Sequence, residues 1–139
     1  MKQIFSIHKW IMLGVCAGLF CSCSSPPKLI LYNNTGSAIR VVSAGKEITI
    51  AAFEQKDIPF PAHTRKMTIL FNTTKWRYHI NYPPKEYCKP TACTRIKAQI
   101  EKDGSIYIGL PSLKLPFSSL PIQPDSFPLM PKNGSTNES

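Results

Sequence analysis

The chain is short of acid, and shorter still of the side chains that usually carry chemistry. It holds 8 Asp and Glu against 17 Lys and Arg, with 3 His and a formal net charge of +9 over 139 residues. No Ser, His and Asp fall into a nucleophile elbow, and no glycine-rich loop is available to cradle a phosphate. Glu54 and Asp57 stand close in sequence, but a lysine lies between them in an exposed-looking stretch, so they read as solvated surface. His79 lies between Arg77 and Asn81, and His63 lies in a loop beside Arg65 and Lys66. A zinc site built on Cys88 and Cys93 would need both of those distant histidines. The chain is therefore expected not to be an enzyme and to use no cofactor or metal. Two further absences concern structure. No apolar run is long enough to span a bilayer: the longest, Ile11 to Phe20, would cover roughly 15 Å as a helix, half a hydrocarbon core. Nor does any stretch of the body show helical periodicity.

What is present begins with residues 11–25. Lys2 and Lys9 precede and flank the apolar run, giving the positive n-region and short h-region of an export signal. Phe20-Cys21-Ser22-Cys23 follows. This stretch resembles the lipobox of bacterial lipoproteins, in which a small residue precedes an invariant cysteine. The resemblance covers about the first 25 residues and leaves the body unassigned. It implies cleavage after Ser22, diacylglycerol on the thiol of Cys23 and a further acyl chain, of the palmitate kind, on the freed amine. Two or more such chains give stable anchoring, at about 0.8 kcal/mol per buried CH₂. Ser24, rather than Asp, follows the cysteine; in a two-membrane bacterium the resemblance then implies the outer membrane rather than the inner. Cys16 is a poorer lipid site, because branched Val15 precedes it and the apolar run would be cut short.

The cysteines then divide. Cys16 and Cys21 leave with the signal, Cys23 takes lipid, and Cys88 and Cys93 remain as a pair in an exported protein. A disulfide is the default there. With Lys2 and Lys9 gone, 15 basic residues face 8 acidic ones, a net of about +7. Such an excess favours acidic surfaces, including phospholipid headgroups and anionic polymers, although it also serves plain solubility. Export separates the chain from nucleic acid, so no nucleic-acid partner is expected.

The body reads as short strands. Leu29 to Tyr32 is an apolar run, and Asn33-Asn34-Thr35-Gly36 is a turn signal. Ile39 and Val41 alternate with Arg40 and Val42; Ala44-Gly45-Lys46 closes a hairpin; Ile48 and Ile50 alternate with Glu47 and Thr49. Ile58 to Pro61 fits only an edge strand or connector, since proline removes a ladder donor. Met67 to Phe71 and Trp76 to Tyr82 follow, the second with Trp76, Tyr78, Ile80 and Tyr82 on one face. That aromatic stripe is core, with a glycan-stacking face as the alternative. Thr94 to Glu101 places Ile96, Ala98 and Ile100 inward and Arg95, Lys97 and Gln99 outward, and Asp103-Gly104 turns the chain into Ile106 and Ile108. Seven or eight short strands predict a small all-β domain, an antiparallel sandwich or barrel.

The expected layout is signal peptide 1–22, lipidated tether 23–27, β domain 28–110, and a proline-rich, largely disordered tail 111–139. Pro111, Pro116, Pro121, Pro124, Pro128 and Pro131 exclude a helix or inner strand there. The apolar residues between them are too many for an inert linker, and either packing of Pro111 to about Leu120 on the body or docking to a partner would use them. The tether spans at most about 17 Å, which holds the domain near the membrane. The resulting expectation is a membrane-anchored, non-enzymatic domain binding a protein or an anionic component of the cell envelope, such as a glycan or lipid headgroup. Arg77, Arg95 and Lys97 are candidate contacts if their strands are neighbours. The alternative is an envelope-acting enzyme or enzyme inhibitor. Mass spectrometry of the chain extracted from membranes should find an acylated Cys23 at the N-terminus, and Cys23→Ser should abolish the acyl mass; a native chain still starting at Met1 would refute the processing.

Overall fold

Alternation of apolar and polar side chains puts one face of each segment against a neighbour, and two sheets stacked on those faces satisfy it. The computed structural model describes residues 27–88 and 93–133. The export stretch with Cys23, and the tip of the loop between Cys88 and Cys93, lie outside the described residues. Nine strands are assigned: β1 Lys28–Asn33, β2 Ile39–Ser43, β3 Lys46–Ile50, β4 Gln55–Pro59, β5 Lys66–Phe71, β6 Thr74–His79, β7 Arg95–Ile100, β8 Ile106–Gly109 and the short β9 Lys132–Asn133. One 3₁₀ turn, Lys85–Tyr87, is the helical element among the described residues. The strands form a four-stranded sheet in the order β4-β1-β7-β8 and a five-stranded sheet in the order β3-β2-β5-β6-β9. The fold is therefore a small all-β sandwich. One pairing departs from the antiparallel expectation: β1 and β7 run parallel, Leu29 beside Ile96 and Leu31 beside Ala98. A parallel pair needs a long crossover, and the chain supplies it by passing through the other sheet in between.

The core lies between the sheets. Leu31, Ile39, Val41, Ile50, Ile58, Ile69, Ile100 and Ile106 are fully buried there. Each such isoleucine contributes roughly 1.5–3 kcal/mol relative to exposure. Trp76, Tyr78 and Ile80 join them, as their spacing predicts, whereas Tyr82 leaves the strand and stays 41% exposed. Tyr82 stacks on Phe60 at 4.7 Å and lies under the Arg65 guanidinium at 4.3 Å. Ala44 and Gly45, with φ of 49° and 75°, make the two-residue β2–β3 turn. Asn33, which reads as a turn residue, is fully buried. Its amide donates to the carbonyls of Ser37 and Ile50, and its Oδ1 accepts from the Thr35 backbone and hydroxyl. It thus fastens the β1–β2 crossover to the end of β3. The Cys88–Cys93 disulfide is formed, with Cys88 buried in the core cluster. Closing so short a loop removes ~2 kcal/mol of unfolded-state entropy.

The segment expected to be a largely disordered tail is, from 111 to 133, packed on the body. Lys97, expected to face solvent, donates to the carbonyls of Pro111, at 2.7 Å, and Leu113. Gln99, also expected outward, is buried, and its Oε1 accepts the Phe117 N–H at 2.8 Å. The Phe117 ring lies against Gly109, where any Cβ would collide with it. The tail next runs along the free edge of β8. Gln123 bonds both backbone groups of Ile108, at 2.9 and 2.8 Å, as a neighbouring strand residue would. Leu129 exchanges both of its backbone bonds with Ile106. Finally β9 pairs with β6, Trp76 beside Asn133 and Arg77 beside Lys132. Proline excluded a regular ladder, but the Gln123 side-chain amide and the main chains of Leu129, Lys132 and Asn133 supply the partners instead. Residues 134–139 of the expected tail lie outside the described residues.

Two outcomes test this packing. Gln123→Ala leaves the Ile108 N–H and C=O unpaired and should cost about 1–3 kcal/mol in urea denaturation; an unchanged midpoint would mean that the tail does not hold the edge. Tyr78 donates to the Gly104 carbonyl at 2.7 Å, and burial, with the Asp103 charge as a lesser cause, pushes its hydroxyl well above the ordinary value of 10.0. A raised acid binds its proton more tightly in the folded state, so stability should fall as pH rises beyond 10, by up to about 1.4 kcal/mol per unit. Tyr78→Phe should remove that share of the alkaline loss while lowering stability at neutral pH.

Candidate anion-binding site

The outer face of the five-stranded sheet follows from strand register. Alternation turns Glu47 and Thr49 of β3, Arg40 and Val42 of β2, Lys66, Thr68 and Leu70 of β5, and Lys75, Arg77 and His79 of β6 away from the core. Pairing aligns them into cross-strand rows. One row reads Glu47, Val42, Thr68, Arg77, Lys132; the next reads Thr49, Arg40, Leu70, Lys75; Lys66 stands opposite His79. Arg40, Lys66, Lys75, Arg77 and Lys132 are all exposed. Glu47 is the lone carboxylate in these rows, and Arg40 already holds it at 3.0 Å.

Two depressions open on this face. The first, of about 520 Å³, is walled by Lys66, Thr68, Arg77, His79 and Lys132, with Met67 and Tyr78 at its edge. The second, of about 510 Å³, shares Lys66 and Thr68 with it and extends over Val42, Ala44 and the Pro59–Thr64 connector, including His63. Neither lining includes a carboxylate. Among the described residues no three His, Cys, Asp or Glu side chains gather to hold a metal ion.

The arrangement sets like charges against one another. Arg77 and Lys132 are direct cross-strand partners, and like charges placed opposite one another destabilise a sheet. Their Cβ atoms stand about 4.5–5.5 Å apart in such a pair. An anion between them replaces repulsion with attraction on both sides. Guanidinium and ammonium groups together offer the planar fork and the point charge that phosphate recognition uses.

The structure does not bring the three sequence candidates together. Arg77 belongs to this face, but Arg95 and Lys97 lie on β7 of the other sheet. Arg95 stands 3.9 Å from Asp57, and Lys97 is committed to the tail carbonyls. The condition set for them, that their strands be neighbours, fails because β6 and β7 fall in different layers. The aromatic stripe offers no stacking face, since Trp76 and Tyr78 point into the core. Sequence reading missed Lys66 and Lys132. Lys66 was within reach: a tight β5–β6 turn at Asn72-Thr73 puts it opposite His79. Lys132 was not, since nothing in the tail's composition announces that it adds a strand to β6. No protein-family model, curated protein or solved structure matches this chain.

Proposed function

We propose that this chain is a lipid-anchored, non-enzymatic protein of the bacterial envelope that binds an anionic envelope component through the outer face of its five-stranded sheet. The observation carrying the reading is the charge of that face: five cations in register, one paired acid, and a concavity ringed by Lys66, Arg77 and Lys132. The reading draws its location from the stretch ending at Cys23, with the outer membrane preferred because of Ser24. A tether of residues 23–27 keeps the domain within about 17 Å of the lipid, where the headgroup potential acts within a Debye length of roughly 8 Å. Binding by diffuse charge needs no catalytic group. Each cation near an anionic surface contributes about 1 kcal/mol.

A charge-matched comparison tests this. The full chain, held in neutral phosphatidylcholine nanodiscs, is titrated with polyphosphate as the polyanion. Replacing Lys66, Arg77 and Lys132 together by Thr should weaken binding by about ten- to a hundred-fold. Replacing exposed Lys28, Lys102 and Lys114 by Thr removes the same charge elsewhere and should change it less than about three-fold. Equal losses in the two triple variants would mean that net charge, not this face, binds the polyanion. The face variant should also keep its folding midpoint, because it relieves the Arg77–Lys132 repulsion.

A further inference from the structure

The two depressions differ in the cations that line them, three in the first and the shared Lys66 in the second, and their junction defines a ligand. Resting on the anion-binding reading of the same face, we propose that the cleft takes one molecule of an anionic amphiphile: a phosphate-type head in the lobe of Arg77 and Lys132, and a hydrocarbon portion in the lobe of Val42. Lys66 and Thr68 belong to both lobes, so a single ligand passes between them. Each lobe, at about 520 and 510 Å³, falls within the size range of small-molecule sites. The row Val42, Thr68, Arg77, Lys132 runs from apolar through a hydroxyl to two cations on four successive strands. At about 4.8 Å per strand, Val42 and Arg77 are roughly 10 Å apart, the reach of a short alkyl chain plus its phosphate.

Val42 is the apolar member of that row, and it is 36% exposed. Pro59, Pro61 and Ala62 of the connector wall the same lobe. These side chains cannot pair with a charge; the lobe also holds His63, Ser43 and Thr64, and its one Lys or Arg is the shared Lys66, whereas the other lobe adds Arg77 and Lys132 and no acid. Polarity of the site is thereby set. The end of the row beyond Val42 carries Glu47, already held by Arg40, which disfavours an anion there. The head therefore goes toward β9 and the chain toward β2.

Short-chain probes separate the two lobes. The full chain in phosphatidylcholine nanodiscs is titrated calorimetrically with inorganic phosphate, hexyl phosphate and hexyl glucoside, with empty discs subtracted for partitioning. Hexyl phosphate should bind at least ten-fold more tightly than inorganic phosphate and than hexyl glucoside. Val42→Ser should shrink the advantage of hexyl phosphate over phosphate several-fold and leave phosphate itself unchanged, while Arg77→Thr should weaken both phosphates together. Equal binding of the two phosphates, with polyphosphate binding intact, would overturn the amphiphile and leave the anion-binding face standing. Hexyl phosphate binding that Arg77→Thr does not touch would overturn the shared site. If neither phosphate nor polyphosphate binds the native chain, both readings fall.

Discussion

The free edge of β8 has to be paired, and most of what distinguishes this sandwich follows from how the chain pairs it. An edge strand presents unpaired N–H and C=O groups that invite other chains. Ile106 and Ile108 turn their outward-facing backbone groups to the proline-rich segment, Ile106 to the main chain of Leu129 and Ile108 to the side chain of Gln123. To arrive there, the segment must first cross the outer face of the four-stranded sheet. That crossing covers Gln99 and occupies Lys97. To leave, it must pass Gly104, which has φ of 85° and no room for a Cβ between Trp76 and Pro131. Only then does β9 reach β6 and set Lys132 beside Arg77. The cationic site is thus downstream of an edge-protection problem on the opposite sheet.

That dependence explains why like charges are tolerated in the row. The repulsion between Arg77 and Lys132 is an exposed, screened interaction worth well under about 1 kcal/mol. Against it stand the hydrogen bonds that hold the segment, each worth about 0.5–1.5 kcal/mol net, and the burial of Phe117 and Leu129. The segment wins easily, so Lys132 is carried into place whether or not it is welcome there. A Lys on an edge strand also discourages further strand addition. Arg77, however, sits on an inner strand, where edge protection gives no reason for a cation.

How much of this was legible in the sequence depended on how local the cause was. Period-two alternation placed Ile39 and Val41, Trp76 and Tyr78, and Ile96, Ala98 and Ile100 on buried faces, because alternation is a property of a single strand. Ala44-Gly45 marked its turn through backbone freedom, and Cys88 with Cys93 followed from parity. Each failure involved a partner distant in sequence. Gln99 looks like any outward polar residue until Phe117, eighteen positions later, lies over it. Asn33 looks like a turn residue, and its burial is decided by carbonyls near residue 50. The parallel β1–β7 pairing and the separation of Arg77 from Arg95 and Lys97 both require strand order, which alternation does not contain. The proline count misled for a different reason. It correctly excluded a ladder, but a side-chain amide can do a ladder's work, and Gln123 carries no sign of that role in its neighbours.

The asymmetry of the finished sandwich follows from spending one segment on one sheet. Asp57, Glu101, Asp103 and Asp125 belong to the four-stranded sheet, its β7–β8 loop and the tail, the side that the segment wraps. The five-stranded sheet keeps Glu47 alone, already paired, beneath an uncovered array of cations. Scattered along the sequence, the basic residues give a diffuse excess; sorted by register, they give one plane with a single acid, whereas on the opposite side Lys28, Lys56, Arg95, Lys97, Lys102 and Lys114 are interspersed with those four acids and partly covered by the tail. A body charged in this way turns in the field of an anionic surface. A short tether would limit how far it could turn. Orientation would then be decided by the fold, with the bare sheet toward the charge and the wrapped sheet away from it.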